Sequence, residues 1–366
     1  MTFSRNARIS GLVLCGALAL SACGTDEQKP FNASPAGDSG IACAKGSITA
    51  AGSSAQKNAM DEWVRAYQDA CPGATVNYQP VGSGAGVQQF TAGSVAFAGS
   101  DSALKPEETA GADARCATGK AIDLPMVTGP VAIAYNLQGV DGLVLDAATI
   151  AKVFSGKVKT WDDPAITALN PGAKLPSAAI QAFHRSDESG TTDNVQKYLA
   201  AAAPSAWTYG AGKKFAAPGG QSAAKSDGVT SAVKSTPNAI TYVEQSFAEN
   251  ASLGVVKIAT GASAPVELTT DSAATAVQSA QVVGTGSDLS LKLDYATKNE
   301  GAYPLVLVTY EIVCAKGTPA DALPLVKSFL TYTASEDGQK VLEDAGYAPL
   351  PSSIRKKVAA AVETLA

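Results

Sequence analysis

Short apolar runs alternate with amphipathic helical patterns along most of this chain of 366 residues. The helical pattern is clearest over residues 56–70, where Met60, Trp63 and Tyr67 recur at the spacing of one helix face. Alternation of strands with helices is typical of βαβ units around a parallel or mixed sheet. The sequence therefore predicts an α/β fold, and its length allows two domains that each bury a core.

The same patterns place the other elements. Strands and apolar runs are predicted over residues 47–51, 75–79, 95–99, 127–137, 180–183, 240–243 and 305–313. Helices are predicted over residues 56–70, 84–91, 147–154, 191–202, 323–333, 336–344 and 352–365. The order of these segments is the basis for the α/β prediction.

The N-terminus has the pattern of a processing signal. Arg5 and Arg8 precede an apolar run over residues 9–20, which is too short to span a bilayer core of ~30 Å. The letters LSACG at residues 20–24 match a bacterial lipobox, in which the cysteine thiol receives a lipid. We therefore expect cleavage before Cys23 and a lipid anchor on that residue.

The segment after the lipobox is polar and rich in Pro, Gly and Asp, so it cannot bury enough surface to order itself. We assign residues 1–22 to the signal peptide and residues 23–46 to the acylated cysteine and tether, with the folded body starting near Ile41. Loss of the signal removes two arginines and lowers the formal net charge from −5 to −7. An acidic surface argues against a nucleic-acid partner.

Four cysteines remain beyond the anchor: Cys43, Cys71, Cys116 and Cys314. An even number outside the cytoplasm predicts two disulfides, for which three pairings exist. We favour Cys43 with Cys71 and Cys116 with Cys314, because Cys43 precedes the first strand and Cys71 ends the helix that returns beside it. The sequence has no CxxC motif and one histidine, His184, so we expect no metal site.

Three predicted strand-to-helix junctions share a composition of glycine and hydroxyl residues. They are AGSSA at 51–55, VGSGAG at 81–86 and DESGTT at 187–192. Unpaired backbone N–H groups and the positive end of the helix dipole favour an anion at such places. Serine and threonine are also ordinary helix caps, but three similar junctions together favour an anion site. None matches a dinucleotide or Walker fingerprint.

Two charged residues adjoin these junctions. Arg185 can offer a bidentate fork to an oxyanion, and Asp187 can hold its guanidinium in place. Asp101 follows the strand over residues 95–99, and it is either a turn or cap residue or part of the anion site. In the site, a carboxylate would repel a fully ionised oxyanion but accept a hydrogen bond from a protonated one, which favours hydrogen phosphate over sulfate.

With these residues in view, the sequence resembles the phosphate-binding protein of the bacterial high-affinity phosphate ABC transporter, in its lipoprotein form. The resemblance runs in family order over roughly residues 47–354. Its motifs lie at residues 52–54, 76–79, 82–87, 97–101, 154–157, 161–163, 169–172, 185–191 and 237–244.

The resemblance implies which residues hold phosphate. The implied contacts come from Ser54, the backbone N–H of Ala55, Ser83, Asp101, Arg185, Ser189, Gly190 and Thr191, with Asp187 orienting the arginine. Two positions depart from the family pattern. Ala55 stands where the family often has phenylalanine, and Glu188, where glycine is common, puts a further carboxylate near the anion.

The resemblance also implies the two-lobed periplasmic-binding-protein fold, type II, with ligand in the cleft between the lobes. The expected lobe I comprises residues 47–126 and 303–366, and the expected lobe II comprises residues 127–302. The expected partners are inorganic phosphate, the permease subunits of the transporter and the outer face of the cell membrane, reached through the anchor on Cys23. We expect a monomer without cofactor, metal or enzymatic activity.

Two other functions fit the sequence less well. A secreted phosphoester hydrolase would need His184 beside a serine, but His184 adjoins Arg185 in a predicted strand, so their side chains should point to opposite faces. A receptor of the same architecture for sulfate, molybdate or an organic phosphate is disfavoured by Asp101 and by a closed cleft without room for an ester group.

Overall fold

The structure is a computed structural model that describes residues 41–366. The predicted signal peptide, the anchor at Cys23 and residues 24–40 of the predicted tether lie outside the described residues. Within residues 41–366, no helix combines the length and the apolar character that crossing a membrane requires.

Strands and helices alternate through the described chain. The strands are β1 (Gly46–Gly52), β2 (Ala74–Gln79), β3 (Ala98–Ser100), β4 (Ala121–Asn136), β5 (Val144–Asp146), β6 (Gln181–Arg185), β7 (Gln221–Ala223), β8 (Ala239–Glu244), β9 (Gly254–Val255), β10 (Lys257–Ala259), β11 (Gln281–Val282), β12 (Leu291–Lys292) and β13 (Val306–Cys314). The helices are α1 (Lys57–Ala70), α2 (Ser83–Thr91), α3 (Pro106–Arg115), α4 (Ala147–Phe154), α5 (Pro164–Thr167), α6 (Gly190–Ala202), α7 (Lys225–Ser235), α8 (Gln245–Asn250), α9 (Thr270–Val277), α10 (Leu323–Thr333), α11 (Glu336–Glu343) and α12 (Ser352–Glu363).

The main sheet has nine strands in the order β2-β1-β3-β13-β4-β8-β6-β7, with β9 also beside β4. β1 pairs in parallel with β2 and β3, and β6 pairs in parallel with β7 and β8. These two parallel groups are joined by the antiparallel strands β4 and β13. The first part of β4 pairs with β13, whereas residues 131–136 pair with β8, so one buried strand runs from one group to the other.

Two large hydrophobic clusters lie against this sheet. The first cluster, built on β4, β8, α4 and α6, includes Ile133, Ile150, Trp161, Leu199 and Tyr242. The second cluster, built on α1, β2, α10 and α12, includes Trp63, Val76, Phe97, Phe329 and Val358. Each parallel group of strands therefore has its own core, and the α/β prediction is confirmed.

The hairpin formed by β11 and β12 packs on the second cluster. Leu289 is buried there, and its N–H donates to the carbonyl oxygen of Asp123 at 3.0 Å. By number this hairpin falls within residues 127–302, the range expected for lobe II. The lobe boundaries stay a prediction.

Most predicted elements agree with the structure to within a few residues, and the bounds of α4 and α10 are as predicted. The strand predicted over residues 95–99 is shorter and shifted, because β3 spans only Ala98–Ser100. α3, α5, α7, α8 and α9 were not predicted. α3 buries only Ala112 among its ten residues, so it has no apolar face for the periodicity to detect.

Cys43 is bonded to Cys71 and Cys116 to Cys314, with Cα atoms 5.3 Å apart in both pairs. This is the pairing that the sequence favoured. The first bond ties the entrance of β1 to the end of α1. The second ties the end of α3 to the end of β13.

One buried carboxyl lies in the middle of the sheet without a partner. Glu311 of β13 is 0 % exposed, and within residues 41–366 neither of its carboxyl oxygens has a hydrogen-bond partner. Burial raises the pKa of Glu311 to about 8, and the nearby Gln56 amide opposes this shift. An unfolded chain releases this proton near its ordinary pKa of 4.5, so ionisation favours unfolding as the pH rises from there to about 8.

We expect Glu311→Gln to stabilise the protein at neutral pH. The gain should reach about 3 kcal/mol at pH 7 and vanish near pH 4, where glutamate is protonated in both states. Urea unfolding of ligand-free protein at the two pH values measures it. The exposed Glu363→Gln should show no such pH-dependent gain. An equal effect of E311Q at both pH values would contradict the buried-ionisation account.

Candidate functional site

The three junctions predicted from the sequence meet at the carboxyl ends of parallel strands. The Gly82 N–H donates to the Gly52 carbonyl oxygen at 2.8 Å, which joins the first junction to the second. The Gly84 N–H donates to the Glu188 carbonyl oxygen at 3.0 Å, which joins the second to the third. Crevices at the carboxyl ends of strands are where open α/β sheets bind ligands.

Glycine is required where the second and third junctions touch. A Cβ atom at Gly190 would lie 2.5 Å from the Cβ of Asp101 and 2.8 Å from the Oγ of Ser83. Both distances are shorter than real contacts allow. The Gly190 N–H instead donates to the Ser83 Oγ at 3.2 Å. The first turn of α6 can therefore approach α2 only because residue 190 has no side chain.

Asp101 lies in the interior of this site, with 3 % of its surface exposed. Its Oδ1 accepts from the Thr309 hydroxyl at 2.8 Å, and its Oδ2 accepts from the Ser83 hydroxyl at 3.0 Å. Burial raises the pKa of Asp101, while these hydroxyls, the Ser53 hydroxyl and the Arg185 charge oppose the shift. The alternative of a surface turn residue does not fit this burial.

Arg185, the last residue of β6, is likewise buried at 3 % exposure. Its Nε and Nη2 donate to the two carboxylate oxygens of Asp187 at 2.8 and 2.6 Å, and its Nη1 donates to the Ser226 Oγ at 3.3 Å. Burial opposes the charge of Arg185, but the bidentate Asp187 outweighs it and raises the pKa of the guanidinium. The pair fixes the plane of the guanidinium at the edge of the third junction.

The other residues of the expected contact set occupy the junctions in different ways. The Ser189 Oγ accepts from the Thr192 N–H at 3.2 Å and caps α6, as ordinary capping serines do. The Ala55 N–H donates to the Ser53 Oγ at 3.0 Å. The Glu188 carboxylate, one of the two departures from the family pattern, pairs with the exposed Lys214 at 3.2 Å.

The remaining two hydroxyls contact groups that the sequence reasoning missed. The Thr191 hydroxyl donates to Glu244 Oε1 at 2.6 Å, and the Ser54 Oγ accepts from the Ser226 N–H at 3.1 Å. Ser226 is the second residue of α7, and the letters AKSDG around it repeat the glycine and hydroxyl composition of the three junctions. That composition could have revealed a fourth junction.

Thr309 and Asn194 were missed as well. The Asn194 amide donates to the carbonyl oxygens of Asp101 and Gly190 at 2.7 and 2.8 Å, so it ties the end of β3 to the third junction. Thr309 precedes an irregularity in the pairing of β13 with β4. No local pattern marks either residue, because their roles depend on contacts between distant parts of the chain.

His184 does not join the site hydroxyls. Its ring stacks on Phe215 with ring centres 4.1 Å apart, and its Nδ1 lies 3.0 Å from the Arg185 carbonyl oxygen. In the part of the chain that the structure describes, no hydroxyl bonds this imidazole. No group of three or more potential metal-ligating His, Cys, Asp or Glu residues occurs among residues 41–366.

Two parallel strand groups joined by crossing strands, with polar helix-start junctions meeting at their carboxyl ends, are the arrangement found in two-lobed solute-binding proteins. Comparisons with known proteins support this class. A model of the PBP superfamily domain matches residues 37–337. The phosphate-binding protein PstS 3 of Mycobacterium tuberculosis is 43 % identical over 372 residues, covering 100 % of both chains. PstS of Xylella fastidiosa is 30 % identical over 317 residues, covering 86 % of this chain and 84 % of its own.

The chain therefore belongs to the PstS family of phosphate-binding proteins within the PBP superfamily. Solved structures agree in fold. A putative phosphate ABC transporter substrate-binding protein from Clostridium perfringens has a TM-score of 0.62 at 18 % identity, covering 84 % of this chain and 100 % of its own. A phosphate-binding protein from Stenotrophomonas maltophilia has a TM-score of 0.68 at 20 % identity, covering 86 % and 93 %. The predicted two-lobed fold and the family resemblance are confirmed.

Proposed function

We propose that this chain is an extracytoplasmic receptor that binds inorganic phosphate and delivers it to the permease subunits of a phosphate ABC transporter. The observation that carries the proposal is the buried Asp101 carboxyl within the same site as the Arg185 guanidinium. The arginine attracts an oxyanion, while the carboxylate accepts a hydrogen bond from one that keeps a proton. Inorganic phosphate meets both conditions near neutral pH, whereas sulfate carries no proton.

The proposed contacts combine side chains with backbone N–H groups at the junctions. They come from Ser54, the N–H of Ala55, Ser83, Asp101, Arg185, Ser189, Gly190 and Thr191, with Asp187 orienting the arginine. Because these groups come from both parallel strand groups, a ligand among them bridges the two. We infer that lobe I, residues 47–126 and 303–366, and lobe II, residues 127–302, close on phosphate by a hinge motion.

The remaining features of the proposed receptor concern its place and its partners. We infer a monomer that is held at the outer face of the cell membrane by acyl chains on Cys23. We also infer that the protein is not an enzyme, and the stacking of His184 on Phe215 supports this, since it engages the imidazole away from the site hydroxyls. No cofactor takes part in binding, and phosphate is the ligand.

Calorimetric titration of residues 41–366, stripped of bound phosphate, tests the proposal. Phosphate, sulfate and a phosphomonoester are added in turn. We expect tight binding of one phosphate per chain and no comparable binding of the other two. Equal binding of sulfate, or no binding of phosphate, would show that the family fold serves another ligand here.

Asp101→Asn should reduce the discrimination between phosphate and sulfate by at least about tenfold, since it removes the negative charge that repels a fully ionised anion. The same titrations measure this ratio. Asp123→Asn is the matched control, because Asp123 is a buried carboxyl of β4 whose partners are Leu104 and Ser290 rather than the site. Unchanged rejection of sulfate by D101N would refute the selectivity argument.

A further inference from the structure

A second fully buried carboxylate lies at the site. Glu244 is the last residue of β8 and is 0 % exposed. Its Oε1 accepts from the Thr191 hydroxyl at 2.6 Å, and its Oε2 accepts from the Ser226 hydroxyl at 2.7 Å. Thr191 lies in the first turn of α6 and Ser226 in the first turn of α7. One carboxylate therefore accepts hydrogen bonds from hydroxyls in the first turns of two helices.

Each hydroxyl has only one hydrogen, so once that hydrogen is donated to Glu244 the hydroxyl can make further hydrogen bonds only as an acceptor. A hydroxyl has one hydrogen and two acceptor lone pairs. Since Ser226 donates its hydrogen to Glu244, it can only accept from its other neighbours, Arg185 Nη1 at 3.3 Å and Ser54 Oγ at 3.1 Å. By the same reasoning, the Thr191 hydroxyl can only accept from a ligand.

The charges around Glu244 do not balance if every carboxyl is ionised. Asp187 already pairs with the Arg185 guanidinium, and Asp101 and Glu244 remain. Burial raises the pKa of Glu244; the Asp101 charge adds to this shift, while Arg185 and the Thr191 and Ser226 hydroxyls oppose it. Two buried tyrosines are also close to Glu244: Tyr242 on the same strand and Tyr347 near the C-terminal helix. Neither can carry a positive charge that would balance the carboxylates. An anion without protons therefore enters a site that already holds excess negative charge.

We propose that Glu244 is a specificity-determining positioning residue, which orients the Thr191 and Ser226 hydroxyls as acceptors and opposes any anion that carries no proton. This inference rests on the proposed function of the same site. Together with Asp101, it gives the site two hydrogen-bond acceptors that favour a ligand carrying hydrogen. Phosphate can fill both as the dihydrogen form, and sulfate can fill neither.

Glu244→Gln tests the inference, because glutamine keeps the shape but removes the charge. Its amide accepts from one hydroxyl and donates to the other, so at least one hydroxyl hydrogen is freed for the ligand. In calorimetric titrations of the purified mature protein at pH 6 and pH 8, we expect the ratio of sulfate affinity to phosphate affinity to rise at least about tenfold. We also expect phosphate affinity to change less between the two pH values than in the wild type.

Two further variants separate this role from a merely structural one. Asp123→Asn removes another buried carboxyl, one whose partners, Leu104 and Ser290, lie outside the site, and should leave the ratio unchanged. Glu244→Asp keeps the charge and should keep the rejection of sulfate even if phosphate binds more weakly. A ratio within about twofold of wild type for E244Q, or equal shifts for E244Q and E244D, would overturn the inference.

The wild type supplies a measurement that does not depend on folding of the variant. If both acceptor positions receive ligand hydrogens, phosphate binding at pH 8 should take up about one proton. Titration in two buffers of different ionisation enthalpy measures that number, and an uptake of zero would contradict the proposal. Failure of the wild type to bind phosphate would instead refute the proposed function itself.

Discussion

Replacing Arg185 by alanine should weaken phosphate binding about 10³-fold. The guanidinium is buried, and it is held in the site by both oxygens of Asp187. Truncating one member of a buried charge pair formed on binding costs about 2–5 kcal/mol, because here the bound phosphate would be left without the guanidinium that balances its charge. About 4 kcal/mol corresponds to the expected loss in affinity. Calorimetric titration with phosphate measures it.

Two companion variants sharpen this test. Arg185→Lys keeps the charge but loses the planar fork, so its affinity should lie between those of the alanine variant and the wild type. Arg355→Ala removes an arginine whose partner, Glu336, is largely exposed, and phosphate affinity should not change. Circular dichroism verifies that R185A is folded, since Asp187 loses its partner. A folded R185A with affinity within tenfold of wild type would place the anion elsewhere.

The sequence identified the parts of the site that have a local pattern. Residues 51–55, 81–86 and 187–192 could be found because a helix start needs particular residues, and glycine at residue 190 is required by the close approach of Asp101. Arg185 and Asp187 were predictable because they are two residues apart and form their pair locally.

The site residues that the sequence did not reveal contact partners that are far away in the sequence, so no local pattern marks them. Thr309 reaches Asp101 from 208 positions away, and Ser226 reaches Ser54 from 172. Such contacts are set by how β13 and α7 pack, which no local periodicity encodes. The position of Asp101 after a strand was visible, but its burial was not, so spacing alone slightly favoured a surface turn or cap residue over a site residue.

The same distinction between local patterns and distant contacts applies to the fold. Helices with a strong apolar face, such as α1 and α10, were predicted because burial imposes a period on their residues. α3 buries only Ala112 and was missed. α7 was missed because two of its four buried residues, Ser226 and Thr230, are polar and interrupt the apolar pattern. The packing of the β11–β12 hairpin on the second cluster was also not predictable from local pattern. Leu289, which lies between these two strands, donates its N–H to the carbonyl oxygen of Asp123, a residue far away in the sequence.

Removing the disulfide between Cys116 and Cys314 should destabilise the fold more than removing the one between Cys43 and Cys71. The bonds close loops with sequence separations of 198 and 28 residues. If loop closure in the unfolded chain dominates, the costs are about 5 and about 3.5 kcal/mol at 25 °C.

Double serine variants of each pair, unfolded in urea without phosphate, measure the two costs separately. Both sulfurs of the longer loop are buried, and Arg115 donates to Cys314 Sγ at 2.8 Å, so serine at that site also loses packing in the folded state. That packing loss adds to the entropic term and widens the gap between the two variants. Equal losses, or a larger loss for the shorter loop, would mean that unfolded-state entropy does not govern the stability that these bonds supply.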